Sequence, residues 1–342
     1  MSLLRSLSVV TASVGSLLLL AGCAHGPQSA GNHSHVHARV EGATVAGGPR
    51  YAVDALWPKP LPNNWILGQV AGIAVDRNDT IWLIHRPLTL TDDEKGAALT
   101  PPRSKCCVAA PPVLQFDRAG NLLRSWGGKG TGYDWPANEH GIYVDPKGDV
   151  WVGGNANTDG MLLKFTPDGK FLMQIGKPGK SEGSNSTTQL SRPAHMELDA
   201  DANELFVADG YGNRRVIVFD AATGAYKRHW GAYGKKPEDG NFPNYNPESA
   251  HFGMPVHCVR MTKDNLVYVC DRMNNRVQIF NKKGEFLKQF VYDAATQGSG
   301  STWALVPSED AAQRYLLIAD GTNNEVRIVE RATGEKIGSF GR

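Results

Sequence analysis

HCVRMTKDNLVYVCDRMNNRVQIFN, residues 257–281, decides the fold. It reads as an apolar strand, a polar turn around Thr262–Asn265, a second strand, a polar loop at Arg272–Asn275 and a third strand. Apolar side chains that alternate over runs of about five residues follow the period of a β-strand, not a helix. GEFLKQFVY (284–292) then supplies a fourth strand. The phrase recurs as AGIAVDRNDTIWLIHRP (71–87), HGIYVDPKGDVWVGGN (140–155), HMELDADANELFVADGYGNRRVIVFD (195–220) and WALVPSEDAAQRYLLIADGTNNEVRIVE (303–330). Each copy is followed by an outer strand, in VLQFDRAGNLLRSWGG, LLKFTPDGKFLMQIGK, TGAYKRHWGA and TGEKIGSFGR. Four-stranded units repeating about every 40 residues are the signature of propeller blades.

Five full blades are countable, and YAVDALW (51–57) offers a strand to a sixth. The chain stops at Arg342, where earlier copies pass into the next unit. Because a propeller closes by joining its two ends, a C-terminally truncated six-bladed protein is expected, over a five-blade ring or one completed by a partner.

Composition narrows the function. Basic residues number 36 and acidic ones 34, a formal net charge of +2, which argues against a nucleic-acid binder held by a basic face. The 41% hydrophobic content excludes a disordered chain, and the 38 glycines show no three-residue period of the collagen kind.

Residues 1–22 read as a signal peptide, with Arg5 ahead of an apolar stretch that ends in Leu17–Leu20 and small residues. Leu20-Ala21-Gly22-Cys23 resembles the bacterial lipobox, making Cys23 a lipid anchor on the membrane; an ordinary secretion signal with a chance cysteine is the alternative. Either way export is expected, with a lipid-anchored protein on the cell envelope facing the periplasm. Residues 23–50 read as a flexible linker, with His25, His33, His35 and His37 in a solvated tether. Export makes disulfides admissible. Cys106 and Cys107 are open to a vicinal disulfide, two separate bridges or free thiols; with Cys258 and Cys270 they are expected to be structural.

In a propeller the first strand of each blade lines the central channel, so alignment stands in for geometry. Five residues before Asp76, Asp145, Asp199, Thr262 and Ser308 stand Ala71, His140, Ala194, His257 and Trp303. Two histidines thus enter at one level, a pair suited to a metal such as zinc. His195 falls one residue out of this register and is expected to face elsewhere. At the end of the second strand Arg86 aligns with Arg272, beside Tyr211. Two guanidiniums suit a carboxylate-bearing substrate, and a tyrosine near cations can act as a base. The bland alternative is that Asp209, Asp271 and Asp320 hold turns and Arg272 pairs with a neighbouring carboxylate. Asn213, Asn275 and Asn324 read as turn residues.

The repeat phrases resemble those of NHL-repeat six-bladed propellers. LGQVAGIAVD with IHRP, EHGIYVD, DGYGNRRVIVFD, and PVHCV followed by CDRMNNRVQIF resemble the peptidyl-α-hydroxyglycine α-amidating lyases. The resemblance implies an all-β, six-bladed NHL-type propeller with five full blades visible and the sixth incomplete, over residues 51–342. It implies zinc on His140 and His257, Tyr211 as catalytic base, Arg86 and Arg272 as active-site arginines, and a peptide or small-molecule substrate cleaved to an amide and glyoxylate. The family's third zinc histidine and part of a calcium site lie in the last blade, so calcium is a second candidate ion. Trp303 does not replace that histidine. The alternative function is a non-catalytic, lipid-anchored propeller that binds a peptide, glycan or envelope protein through rim loops such as residues 235–250. A calcium-dependent lactonase-like propeller ranks below both, for want of channel carboxylates.

Overall fold

The computed structural model describes Tyr51 and residues 53–341. The signal peptide, Cys23 and the linker histidines lie outside the described residues. The first strands in chain order are β1 (Trp65–Ile66), β2 (Gln69–Val75), β3 (Ile81–Arg86), β4 (Val108–Ala109), β5 (Val113–Phe116) and β6 (Leu122–Trp126). Blade one is the antiparallel sheet β2-β3-β5-β6, while β1 and β4 form a small parallel pair beside it. Blade two is β7 (Glu139–Val144), β8 (Val150–Gly154), β9 (Met161–Phe165) and β10 (Phe171–Gly176). Blade three is β11 (His195–Asp199), β12 (Glu204–Asp209), β13 (Arg215–Asp220) and β14 (Tyr226–Trp230). Blade four is β15 (Val256–Met261), β16 (Leu266–Asp271), β17 (Arg276–Asn281) and β18 (Phe286–Val291). Blade five is β19 (Ala304–Pro307), β20 (Tyr315–Asp320), β21 (Glu325–Glu330) and β22 (Lys336–Phe340). The chain is therefore all-β, an arrangement of five propeller blades with no α-helix among the described residues.

Turn chemistry explains why the hairpins sit where they do. Asp76 accepts the backbone N–H groups of Asn78 and Thr80 at 2.9 and 3.1 Å, and its second oxygen takes the Trp82 indole N–H. Asp145 does the same for Lys147, Asp149 and Trp151 in blade two. A short acidic side chain that bonds its own backbone favours a turn over a continuing strand.

The hydrophobic core is distributed between blades. Ile142 and Val144 of blade two pack on Trp82, Ile84 and Val113 of blade one. Further clusters join blades two and three around Trp151 and Met196, three and four around Phe206 and Val259, and four and five around Tyr268 and Leu305. First strands pack in series, β2 on β7, β7 on β11, β11 on β15 and β15 on β19, and so make the inner wall. Among the described residues β19 makes no comparable contact with β2. On β2, Ile73 and Val75 are 56% and 55% exposed, whereas Ile142 and Val144 at the same register are buried.

Among the described residues of 51–57 the strand expected there does not form. Instead the Tyr51 ring stacks on Phe340 of β22 with centroids 4.9 Å apart, and Trp57 packs against Phe116 of β5. Pro58, Pro60 and Pro62 follow closely and bring no N–H to a ladder. Two disulfides close, Cys106–Cys107 between neighbours and Cys258–Cys270 across β15 and β16.

Candidate active site

The three turn aspartates behave as repeat residues. Asp209, Asp271 and Asp320 are buried and pair with Arg215, Arg276 and Arg327 respectively. Their other partners are Asn213, Asn274 and Asn323, each donating a side-chain N–H to the carboxylate. Asn275 and Asn324 are turn residues of another kind, with φ of 55° and 56° in the left-handed region that asparagine tolerates. In blade one the same position is His85, fully buried: its Nδ1 accepts the Gly68 N–H at 3.1 Å, as Asp271 accepts that of Gly253, and its Nε2 donates to the Pro111 carbonyl. Burial lowers the pKa of His85 and favours the neutral ring.

Because Asp271 is satisfied by Arg276, Arg272 is released from the role the bland reading gave it. It makes no ion pair among the described residues; its Nη1 donates to the Tyr211 hydroxyl at 3.2 Å, and its guanidinium lies 4.5 Å from the Trp303 ring centroid. Arg272 is buried, and its Nε has no hydrogen-bond partner among the described residues.

His140 and His257 meet at Tyr211. Each Nε2 lies 3.0 Å from the Tyr211 hydroxyl oxygen, and the imidazole centroids are 5.2 Å apart. Each Nδ1 faces a carbonyl of the following blade, His140 that of Ala194 at 3.1 Å and His257 that of Trp303. A carbonyl only accepts, so both rings carry their proton on Nδ1 and turn a lone pair toward Tyr211. The one hydroxyl proton can satisfy one of the two lone pairs, and the other faces oxygen. A cation at that point removes the conflict. Burial first, then the positive charge of Arg86, lowers His140 to about 4; burial and His140 lower His257 well below its ordinary value. Both are therefore neutral near pH 7, the form that ligates a metal.

Backbone irregularity distinguishes the two histidines from His195, and blade one shares it, its β2–β3 register shifting between Val70 and Gly72. The β7–β8 register jumps between Glu139 and Ile142, and the β15–β16 register between Val256 and Cys258, so each histidine sits in a β-bulge. Bulges re-aim a side chain out of the pleat. The β11–β12 ladder runs without a bulge, and His195 makes no hydrogen bond to Tyr211 among the described residues; it lies within electrostatic reach of Arg260, His140 and His257, with its buried Nδ1 unpartnered among the described residues. This one-residue insertion escaped the sequence alignment because it is a property of the pairing between two strands, and the alignment compared first strands alone.

Arg86 reaches the same place. Its Nε donates to the Glu139 carbonyl at 2.7 Å, and its terminal nitrogens lie 3.4 Å from Gln69 Oε1 and Asn155 Oδ1. Sequence reading missed Arg192, whose guanidinium is 5.5 Å from the Tyr211 ring centroid. It lies between β10 and β11, outside the repeated phrases. The signal available was a bulky cation directly before Pro193. The structure thus brings together His140, His257, Tyr211, Arg86 and Arg272. Among the described residues the metal-type cluster with three ligand groups is elsewhere, at Asp293, Asp320 and Glu325, where Arg327 and Lys336 already supply positive charge.

The NHL repeat family model matches residues 256–280, the loop and strands that carry His257 and Arg272. Peptidyl-alpha-hydroxyglycine alpha-amidating lyase 1 of Drosophila melanogaster is 26% identical over 293 residues, covering 81% of this chain and 48% of the fly protein. NHL repeat-containing protein 3 of Mus musculus is 26% identical over 248 residues, covering 70% of this chain and 59% of that one. The chain thus spans about half to three fifths of the length of these curated relatives. A chain of a nidogen/laminin complex superposes with a TM-score of 0.51 at 12% identity, over 80% of each chain, a likeness of fold alone. The chain carries an NHL repeat within a β-propeller, and it is homologous both to the peptidyl-α-hydroxyglycine α-amidating lyases and to the NHL repeat-containing proteins.

Proposed function

We propose that this chain is an exported, metal-dependent lyase of the amidating type, anchored to the envelope through Cys23, that cleaves a carbinolamide to an amide and glyoxylate. One observation carries the reading: the Tyr211 oxygen stands between two neutral imidazole nitrogens and Arg272, and neither Arg86 nor Arg272 forms a salt bridge among the described residues, the Glu139 carboxyl being within electrostatic reach of Arg86 without pairing with it. Guanidiniums outside ion pairs suit an anionic ligand. His140 and His257 would hold zinc, and their Nδ1–carbonyl bonds are the outer contacts that orient such ligands. Zinc bound there would supply Lewis acidity to the substrate hydroxyl oxygen.

The protein's own groups account for the rest of the chemistry. Tyr211, having released its own proton to solvent when a cation is held by the two histidines, takes the substrate hydroxyl proton as a phenolate general base. The C–O bond closes to a carbonyl, the C–N bond breaks with its electron pair going to nitrogen, and nitrogen takes back a proton from Tyr211. Arginines stabilise the substrate carboxylate and the charge that develops between the two products.

The test joins metal content to turnover. About one zinc per chain, lost in the His140→Ala, His257→Ala double variant, is expected, together with a fall in N-acyl-α-hydroxyglycine cleavage of about 10²- to 10⁴-fold in Tyr211→Phe. Unchanged turnover in Tyr211→Phe removes the base. No stoichiometric metal and no turnover would favour the second reading, a binding propeller, which the exposed apolar face of β2 supports.

A further inference from the structure

Arg192 occupies a conformation that its sequence disfavours. Its φ is 60°, in the left-handed region, and Pro193 follows. A long side chain there is uncommon, and a following proline narrows the backbone further. Such strain persists where surroundings over-determine it, and it concentrates at functional sites. Here the surroundings are explicit: the Arg192 N–H donates to the Asp159 carbonyl at 2.6 Å, and the Arg192 carbonyl accepts the Tyr211 N–H at 3.3 Å. The side chain is anchored as well, its Nε donating to the Asn155 carbonyl at 2.8 Å. The two terminal nitrogens make no hydrogen bond or ion pair among the described residues.

Asn155 connects this guanidinium to Arg86. Its backbone carbonyl holds Arg192, and its side-chain oxygen lies 3.4 Å from Arg86 Nη2 and 2.5 Å from Asn138 Nδ2. Arg272 is committed differently, to the Tyr211 oxygen and the Trp303 face. Resting on the lyase reading for the identity of its substrate, we propose that Arg192 is a specificity-determining residue that binds the substrate carboxylate together with Arg86, leaving Arg272 to the Tyr211 oxygen. The substrate class is accordingly N-acyl-α-hydroxyglycines with a free carboxylate, and their esters and amides are excluded. A carboxylate offers two acceptor oxygens, and the free fork of Arg192 supplies two parallel donors.

Arg192→Gly is an unusually clean test, because glycine adopts φ near 60° without strain and the variant therefore keeps its backbone. N-benzoylglycine, which lacks the hydroxyl and cannot be cleaved, serves as the carboxylate probe, and its methyl ester as the neutral one. In calorimetric titration of the full chain, Arg192→Gly should weaken N-benzoylglycine binding about tenfold to a hundredfold and leave the ester unchanged, with no loss of thermal stability. Arg192→Lys, which keeps charge but loses the fork, should fall between. Equal losses for acid and ester, or an acid bound as tightly as by the wild type, would overturn the assignment. The two readings fail separately. If the wild type prefers the acid, Arg192→Gly abolishes that preference and N-acyl-α-hydroxyglycine is not turned over, the lyase reading falls and the carboxylate site stands. If the substrate is turned over and Arg192→Gly leaves acid binding intact, the lyase reading stands and this inference falls.

Discussion

Ile73 and Ile142 stand at one register, each three residues before a turn aspartate, and truncating each in turn measures whether blade one has a second neighbour, on the face turned away from blade two. Ile142 is 2% exposed and packs against Trp82, Ile84 and Val113. Ile142→Ala removes three carbons from that cluster. At about 0.8 kcal/mol per buried methylene the transfer cost is about 2.4 kcal/mol, and the cavity raises it to about 3–4 kcal/mol. Ile73 is 56% exposed, so less than half of the same transfer cost applies and no cavity forms, giving about 1 kcal/mol. Urea unfolding of the full chain, followed by tryptophan fluorescence, should therefore separate the two variants by about 2–3 kcal/mol. Equal costs would refute the reasoning, since Ile73 would then be covered in solution as Ile142 is, by a further blade or another chain.

Three further outcomes follow from the structure. Asp271→Ala leaves Arg276 buried without its counter-charge and should cost about 3–5 kcal/mol in denaturant unfolding; a cost below about 1 kcal/mol would mean that the carbonyls of Pro247 and His251 suffice for that guanidinium. Glu204, hydrogen-bonded first to Arg228 and then to Lys227, is lowered to about 2. A carboxylate with a depressed folded pKa contributes stability that is complete above about 4.5 and disappears as pH falls toward 2, so Glu204→Gln should lower stability at pH 6 by up to about 2 kcal/mol and flatten the acid limb of the unfolding curve in that window. An unchanged acid limb would refute this ion pair. Reducing Cys258–Cys270, which links the strand of His257 to β16, should lower the temperature at which turnover is lost, and dithiothreitol titration with an activity readout checks it.

The blades were legible because their information is local: the strand period, the Asp76 and Asp145 turns and the repeated Asp-Asn-Arg rungs each lie within a few residues of one another. Most of the site was legible for a related reason, since a repeat converts equal register into nearness, and His140, His257, Arg86 and Arg272 converge as register demanded. What stayed hidden is long-range or irregular. The bulges at His140 and His257 are features of strand pairing, so the alignment put Ala194 and Trp303 at the same level when those residues lend carbonyls instead. Arg192 lies in a connection with no repeat counterpart, and its role is visible only through Asn155, which sequence separates from it by a whole outer hairpin. YAVDALW has strand-like composition, yet the prolines behind it turn it into a segment that touches Phe340 and Phe116.

The imidazole pair is oriented by carbonyls that belong to neighbouring blades, His140 by blade three and His257 by blade five. The angle between adjacent blades is thereby written into the aim of each ring, and the site works as a gauge of how tightly the propeller is wound. A substitution buried between blades two and three, such as Met196→Ala, removes none of the site's own side chains, yet it would relax the wedge that fixes where Ala194 stands. Its signature would be a catalytic defect out of proportion to the stability lost. The interior packing of this propeller and the aim of its two imidazoles are, for that reason, a single property.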